Sequence, residues 1–399
     1  MEQKTDKTIQ AIGEIPVGFG RVSLNKKKEK ICGDYYTVIH DGDSSVLVLS
    51  DGLGSGVKAN ILATLTARML SIMIARKVDI RTAVKAVADT LPVCSVRNLA
   101  YATFTVLVAE GNEICLLQYY NPDAILLRNG KSVDYYRDIL IFGEKEIHQS
   151  YLQFQEGDML LLMSDGVTNA GMGKTTYGGW GREEVVRYCE QRYREDMSAQ
   201  EMASAIGNAG LDLNLDETDD DLTVLALKGM KRKVVNICVG PPADREDDRS
   251  YFETFFQKEG MRVVCGGTTA KLVADYMGKK IISLPESGTE EVPAMSAIQG
   301  IDLVTEGLLT LQKLTEYYED FREDRLYYQK LIKKKDGAAE LFRVLFAEAT
   351  EINFFFGNAL NENYTALHID REKKKNLALK LIDELREEGK QVKICFWCV

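Results

Sequence analysis

Residues 46–59, VLVLSDGLGSGVKA, decide the fold of the first half of the chain. The unbroken apolar run is typical of a buried β-strand, and it ends in Asp51 before a glycine-rich turn. That turn has neither the GK[ST] of a P-loop nor the G-x-G-x-x-G of a dinucleotide site. Because an unpaired carboxylate at the end of a buried strand is costly, we expect Asp51 rather than the glycines to carry the chemistry.

The chain has 399 residues, of which 45% are hydrophobic and 28% charged, and a net charge of −10. This length predicts two domains. The negative charge argues against nucleic-acid binding, and the polar start MEQKTDKTIQ is unlike a secretory signal. The unbroken apolar runs are too short to span a bilayer. Eight cysteines scattered mainly through apolar segments favour reduced thiols. We therefore expect a cytoplasmic protein that binds neither membranes nor nucleic acids.

Two patterns divide the chain near residue 231. Before it, DYYTVIHDG and SSVLVLSDG predict paired strands, residues 57–76 predict a largely buried helix that Ser55 could cap, and further strands and helices follow. That order fits an α+β fold, a sandwich of sheets with helices outside. After it, strands and helices alternate, which predicts a three-layer α/β domain with a parallel sheet. The predicted domains are residues 1–230 and 231–399.

Four acids share one setting, the edge of an apolar strand next to glycine or another acid. They are Asp34 in GDYY, Asp51 and Asp165 in two SDG motifs, and Asp220 in DDLT. Carboxylates that meet at one sheet edge repel one another unless a proton or cation lies between them. Oxygen donors of this kind suit Mg²⁺ or Mn²⁺. A single Asp-Gly after a strand is most often only a turn, and this pattern does not separate Asp220 from its neighbours Asp219 and Asp221.

The motifs GDYY, SDGLGSG, MSDGV and DDLT occur in the order of a known family. In them the chain resembles the metal-dependent PPM-type serine/threonine phosphatases, in the bacterial branch typified by the sporulation stage II phosphatase (SpoIIE-like). The resemblance covers about residues 12–229. It implies a PPM-type β-sandwich flanked by helices and a catalytic site with two Mn²⁺ or Mg²⁺ ions.

The resemblance also implies a role for each acid. Asp34 would bind one metal, Asp51 would bridge two, and Gly52 would offer its backbone carbonyl. Asp165 and Asp220 would complete the other metal site, and the family aligns the first acid of DDLT with its ligand. A hydroxide that bridges the two ions would attack the phosphorus of phosphoserine or phosphothreonine without a covalent enzyme intermediate.

Partners follow from the same resemblance. Substrates in the family are often phosphoserines on small anti-sigma-factor antagonists, so a phosphoprotein of that class is expected. Residues 231–399 would be regulatory or ligand-sensing, with a homodimer and a small-molecule ligand as open options. Two alternatives stand beside this hypothesis: a pseudophosphatase that binds a phosphoprotein without turnover, and a sensor whose main unit is the C-terminal half.

Three weaker signals remain. Relatives outside the bacterial branch hold phosphate with an arginine before the first acid; here Lys26–Lys28 or Lys58 could supply the charge, although lysine runs are usually solvated. Thr268 and Thr269, in CGGTTAK, could hold an anion at a helix start, or the segment is only a capped helix. CFWC at Cys395–Cys398 has redox or metal spacing but no second CxxC, and its flanks predict a buried strand.

Overall fold

A computed structural model describes residues 5–6, 8–41, 44–90, 93–94, 99–100, 102–142, 145–242, 244–357 and 371–397. Contacts between residues divide the chain into two units, Met1–Lys231 and Arg232–Val399. The sequence had predicted the division after residue 230. Each unit is described by itself.

The N-terminal unit contains two large antiparallel sheets. Its strands are β1 Thr5–Asp6, β2 Ala11–Ile12, β3 Ile15–Leu24, β4 Asp34–Asp41, β5 Ser44–Gly52, β6 Val93–Cys94, β7 Leu99–Ala100, β8 Ala102–Glu110, β9 Glu113–Tyr119, β10 Ile125–Arg128, β11 Lys131–Val133, β12 Asp138–Phe142, β13 Lys145–Gln153, β14 Met159–Met163 and β15 Leu222–Gly229. The first sheet has the order β1-β4-β5-β8-β9-β13-β12 and the second β11-β10-β14-β15-β3-β2, while β6 and β7 form a separate pair.

Strand β5 is covered on both faces, which explains why its sequence is apolar along most of its length. Leu47 and Leu49 point into the core between the two sheets, where they meet leucines of β14 and β15. Val46 and Val48 point the other way, into a second core beneath the helices α1 and α2. Since successive side chains of a strand face opposite sides, a strand covered on both faces needs no polar positions. The predicted α+β sandwich is confirmed.

Helices cover the outer faces of the sandwich. They are α1 Gly56–Ala75, α2 Ile80–Thr90, α3 Asp165–Thr168, α4 Arg182–Arg192 and α5 Ala199–Leu213. Helix α1 packs on β4, β5 and β8, and α5 packs on β3 and β15. Helix α5 begins at a capping serine, because the hydroxyl of Ser198 accepts the amide proton of Glu201 at 3.1 Å.

Helix α1 differs from the prediction of a largely buried helix. One face packs on the sheet, but the other exposes an apolar stripe formed by Val57, Ile61, Leu65, Met69 and Ile72. Its length and a mean hydropathy of 1.3 would allow it to cross a membrane by composition alone. Because the opposite face forms part of the protein core, we interpret α1 as a core helix with an uncovered apolar side.

The C-terminal unit is built on one seven-stranded sheet. Its strands are β16 Val234–Val239, β17 Met261–Cys265, β18 Ile281–Leu284, β19 Met295–Ile298, β20 Leu303–Thr305, β21 Glu351–Gly357 and β22 Gln391–Trp397. The sheet order is β18-β19-β20-β17-β16-β21-β22. The strands from β20 to β22 pair in parallel, and β18 and β19 add an antiparallel edge. The chain thus starts in the middle of the sheet and builds outward on both sides.

Helices lie on both faces of this sheet, which confirms the three-layer prediction. They are α6 Asp248–Gln257, α7 Gly267–Met277, α8 Leu308–Glu323, α9 Tyr328–Leu331, α10 Gly337–Phe342, a π-helical segment Arg343–Glu348 and α11 Arg371–Glu387, with 3₁₀ turns at Arg245–Asp247, Pro285–Ser287 and Arg325–Tyr327. Helices α6 and α7 share a core with one face of the sheet. Helices α8 to α11 share a larger core with the other.

One carboxylate in this unit is buried with little compensation. Glu384, on α11, is 5% exposed, and neither of its oxygens accepts a hydrogen bond from the residues that the structure describes. The nearest cation is the ammonium of Lys380, 3.8 Å away. Burial raises the pKa of Glu384 to about 7, against an ordinary value of 4.5, and Lys380 opposes that shift only in part.

Candidate active site

The four predicted acids lie at strand ends of the two sheets. Asp34 begins β4 and stands directly opposite Asp51 of β5 in the antiparallel register. Asp165 follows β14 and begins α3, while Asp220 lies two residues before β15, the strand that pairs with β14. Each sheet therefore supplies two acids on neighbouring strands. The second SDG starts a one-turn helix, with Ser164 at the N-cap position.

The glycine of each SDG motif lets two backbones meet. A Cβ on Gly52 would lie 2.0 Å from the carbonyl oxygen of Ala59, in α1. A Cβ on Gly166 would lie 2.0 Å from the carbonyl oxygen of Asp221, just before β15. No real side chain fits at such distances, so glycine is required at both places. The first glycine seats α1 beside Asp51, and the second seats Asp165 beside the DDLT segment.

The loop after Asp51 differs from the prediction in one respect, the role of Ser55. Gly54 and Gly56 have positive φ angles of 114° and 63°, which explains the glycines of this turn. Ser55 occupies the N-cap position of α1, but its hydroxyl caps no amide of the helix. It donates instead to the carboxylate of Glu29 at 2.9 Å.

Asp34 is the most deeply buried of the four, with 5% exposure. Neither of its carboxylate oxygens has a hydrogen bond of ordinary geometry from the described residues, and the same holds for Oδ1 of Asp165. Burial raises the pKa of Asp34 to about 7; the hydroxyls of Ser164 and Thr223 oppose this shift, and nearby carboxylates add to it. Buried oxygens without donors are the arrangement that a cation would satisfy.

Asp51 interacts with all three other acids. Burial raises its pKa well above the ordinary range, and the charges of Asp34, Asp165 and Asp220 raise it further. The charges of all three other acids therefore act on the carboxylate of Asp51.

Asp220 and Asp221 have different surroundings. The pKa of Asp220 is raised first by burial and then by Asp165, so its carboxylate faces the other acids. Asp221 is 4% exposed, and its Oδ1 accepts the backbone N–H of Lys26 at 3.0 Å. Its position therefore ties the β3–β4 loop to the start of β15, although its charge also raises the pKa of Asp34. Asp219 points away and pairs with Lys174 at 2.9 Å.

A divalent cation is chemically suited to this donor set. The donors are carboxylate oxygens, which Mg²⁺ and Mn²⁺ prefer, and several of them lack any other partner. Among the described residues, however, no three His, Cys, Asp or Glu side chains already lie close enough to hold one ion. The residues fit the cations that the resemblance implies, but they do not form a closed cage.

Sequence reasoning missed two hydroxyl groups of the site. The Ser164 hydroxyl accepts the N–H of Thr223 at 2.9 Å, and Ser164 N–H bonds to the Thr223 carbonyl at 3.0 Å. Both hydroxyls lie beside Asp34. The signal was present in the motifs, since these residues are the serine of the second SDG and the threonine of DDLT.

The lysines that were candidates for a phosphate contact are separated by the structure. The ammonium of Lys26 lies 3.9 Å from Oδ1 of Asp220. Lys27 pairs with Glu217, and Lys58 is an exposed residue of α1. Lys28 has a positive φ of 69°. Of this set, Lys26 is the one that faces a predicted metal ligand.

The two weaker candidates of the C-terminal unit gain no support. Helix α7 begins at Gly267, but Oε1 of Glu306 lies 3.0 Å from the position that a Cβ on Gly267 would take. The helix start near Thr268 and Thr269 therefore already faces a carboxylate of the chain. Cys395 lies in β22, paired with Phe355 of β21, and Cys398 falls outside the described residues.

The six cysteines whose side chains the structure describes are free thiols, as expected for reduced residues: Cys32, Cys115, Cys189, Cys238, Cys265 and Cys395.

Residues 41–229 match the family model described as Stage II sporulation protein E (SpoIIE). Among solved structures, the phosphatase domain of the cell fate determinant SpoIIE from Bacillus subtilis is 19% identical, with a TM-score of 0.42 over 54% of this chain and 93% of that chain. RsbX in complex with magnesium is 16% identical, with a TM-score of 0.39 over 57% and 98%. The SiaA-PP2C domain of Pseudomonas aeruginosa is 16% identical, with a TM-score of 0.42 over 52% and 85%. No curated protein sequence matches the chain.

The N-terminal unit is thus a domain of the PPM phosphatase class. Within that class, residues 41–229 of this unit match the SpoIIE-like family. These three structures are less than 25% identical to the chain and have TM-scores below 0.5, so they carry no argument about its function.

Proposed function

We propose that the N-terminal domain hydrolyses phosphoserine and phosphothreonine in proteins, with two Mn²⁺ or Mg²⁺ ions held by Asp34, Asp51, Gly52, Asp165 and Asp220. The observation that carries the proposal is the position of Asp51, which stands directly opposite Asp34 in the antiparallel register of β4 and β5, and whose pKa is raised by the charges of Asp34, Asp165 and Asp220. A cluster of this kind is unstable by itself, and divalent cations would relieve its repulsion.

Each acid has a separate task in this proposal. Asp51 would contact both ions, Asp34 would hold one of them, and Asp165 and Asp220 would hold the other. Gly52 would contribute its carbonyl oxygen. When bound, the ions supply Lewis acidity, which lowers the pKa of water and offsets the negative charge of the phosphoryl group.

The hydroxyls of Ser164 and Thr223 act as positioning groups for Asp34. They are fixed by the paired backbones of the SDG and DDLT motifs. A buried ligand needs such neighbours, because its own orientation decides the geometry of the ion that it holds. Asp221 has a similar supporting task, since it fixes the backbone of the β3–β4 loop at Lys26.

The substrate class and the control of the enzyme belong to the same proposal. We infer a small phosphoprotein substrate of the anti-sigma-factor antagonist type. We further infer that residues 231–399 regulate the phosphatase or sense a small ligand. The apolar stripe of α1 supports regulation through this helix, because the backbone of α1 touches Gly52 beside Asp51.

The second candidate function is a pseudophosphatase that binds a phosphoprotein without turnover. One observation favours it: no three ligand side chains of the described residues already stand within reach of one ion. Retention of all four acids favours turnover, since binding alone does not require buried carboxylates that repel phosphate.

The test is hydrolysis of an aryl phosphate and of a phosphoserine peptide by the full chain, with and without Mn²⁺. We expect Asp51→Asn to lower kcat/KM by more than about a hundredfold, because even outer partners of metal ligands are worth roughly 10- to 100-fold. Asp196→Asn makes the same chemical change at an 83% exposed side chain and is the matched control. A wild-type chain without metal-dependent turnover, or an Asp51→Asn variant with full activity, would refute the proposal.

A further inference from the structure

Lys26 is held at the candidate site by its backbone. Its N–H donates to Oδ1 of Asp221 at 3.0 Å, and the next amide, of Lys27, donates to the carbonyl of Thr218 at 2.8 Å. A turn closes behind it, because Glu29 N–H donates to the Lys26 carbonyl at 2.9 Å. The segment that presents Lys26 is thereby joined to the segment that presents Asp220.

The ammonium of Lys26 is the local counter-ion of Asp220. The two groups lie 3.9 Å apart, and their side chains are 36% and 46% exposed. An ion pair at this distance and exposure is weak, so the ammonium can leave Asp220 at little cost.

Two neighbouring lysines form ion pairs with other acids. Lys27 pairs with Glu217. Lys174 binds Asp219 at 2.9 Å and also donates to the carbonyls of Asn214 and Glu217. Among the ion pairs described near the site, that of Lys26 is the one made to a predicted metal ligand.

The charges of the site show what Lys26 would do after cations bind. Four carboxylates and two divalent cations cancel in formal charge, so they leave no excess to attract a phosphate dianion. Once a cation satisfies Asp220, the ammonium of Lys26 loses that partner and remains beside the site. A charge-assisted hydrogen bond to a phosphoryl oxygen would then be favourable.

We propose that Lys26 exchanges partners: it balances Asp220 while the carboxylates lack cations, and it binds the substrate phosphate when they carry them. The inference rests on the proposed phosphatase function and names a substrate-binding residue for it. It has two measurable consequences of opposite sign. Loss of the Lys26 charge strengthens cation binding, because a competitor for Asp220 is removed, and weakens phosphate binding.

Both affinities are measured by titration calorimetry on the full chain. Lys26→Met should bind Mn²⁺, without phosphate, about two- to fivefold more tightly than wild type, the size of an exposed ion pair. In saturating Mg²⁺ it should bind inorganic phosphate about tenfold more weakly, with a parallel rise in KM for a phosphoserine peptide. Lys26→Arg should restore phosphate affinity, because it keeps the charge. Lys27→Met is the matched control and should change neither affinity.

The outcomes separate the exchange of partners by Lys26 from the proposed phosphatase function. Unchanged phosphate affinity in Lys26→Met, or Mn²⁺ affinity that is unchanged or weaker, overturns the exchange and leaves the phosphatase function standing. Lys26-dependent phosphate binding by a wild-type chain that hydrolyses nothing supports the exchange and sinks the proposed turnover. A wild-type chain that binds no phosphate in Mg²⁺ overturns the exchange.

Discussion

Gly52→Ala tests the link between the first SDG motif and helix α1. The added Cβ would lie 2.0 Å from the carbonyl oxygen of Ala59, 2.6 Å from its carbonyl carbon and 2.9 Å from its Cα. Ordinary contacts to a Cβ begin near 3.4 Å. All three atoms belong to the backbone, so no side-chain rotation relieves the overlap. Either the first turn of α1 or the end of β5 must move by more than about 1 Å, which exceeds what a packed core accepts freely.

The cost follows from overpacking of a well-packed core, which is typically about 1–3 kcal/mol and occasionally more. A clash with backbone atoms belongs at the upper end, so we expect about 3 kcal/mol. For a domain of this size, each kcal/mol lowers Tm by roughly 2–4 °C, which predicts a fall of roughly 6–12 °C. The shift also displaces Asp51, so metal-dependent activity should fall more than stability does.

The assay is thermal unfolding of the full chain, followed by the hydrolysis assay below the new Tm. Gly178→Ala is the control, because Gly178 has no heavy atom within 4 Å of an added Cβ and no positive φ. Its Tm should stay within about 1 °C of wild type, as for a surface change without a named defect. If Gly52→Ala has the same Tm as Gly178→Ala, the close approach of β5 and α1 is wrong.

Three further predictions concern other parts of the chain. A carboxyl group whose folded pKa is raised stabilises the fold fully below its unfolded pKa and loses that contribution as pH rises; for Glu384 the loss falls between pH 4.5 and about 7. The free energy of unfolding of Glu384→Gln, measured in urea, should therefore equal that of wild type at pH 4 and exceed it by about 2–3 kcal/mol at pH 8. An equal gain at both pH values would contradict this. Arg128→Met leaves the fully buried Asp158 without the guanidinium that binds both its oxygens at 2.8 Å, so we expect a loss of about 3 kcal/mol in the same assay. Arg187→Met, which removes an exposed ion pair with Glu184, is the matched control and should leave the free energy of unfolding almost unchanged. Finally, if the chain forms a homodimer through the apolar stripe of α1, Leu65→Asp should make it monomeric in sedimentation equilibrium, and an unaltered dimer would place the interface elsewhere.

Local chemistry was the part of the structure that the sequence predicted best. The dipeptide Asn129–Gly130, at the end of the apolar run AILLRNG, predicts a tight turn, and it forms one between β10 and β11 with φ angles of 50° and 75°. The strand that ends at Asp51 and the positions of the four acids were also visible, since each lies where an apolar run meets a turn signal. The same turn signal was ambiguous at Asp165, where a one-turn helix begins instead.

Features that depend on distant parts of the chain were not predictable. Helix α1 is apolar on nearly all sides, and hydropathy alone does not tell a buried side from an uncovered one. Lys26 stood in a run of similar lysines, and its place beside Asp220 comes from pairing of β3 with β15, about 200 residues apart in sequence. Periodicity predicts which residues face a core, but it does not name the strand on the other side.

The pairing of early strands with late ones also constrains how the chain can fold as it is synthesised. The second sheet of the N-terminal unit is incomplete until β15, at Leu222–Gly229, joins β3. In the C-terminal unit β16 pairs with β21, 117 residues later, and the edge strand β22 ends only at Trp397. Contacts of such long range are slow to form because the loop must close first. The N-terminal domain can therefore complete its core on the ribosome while the strands of the C-terminal sheet still lack their partners.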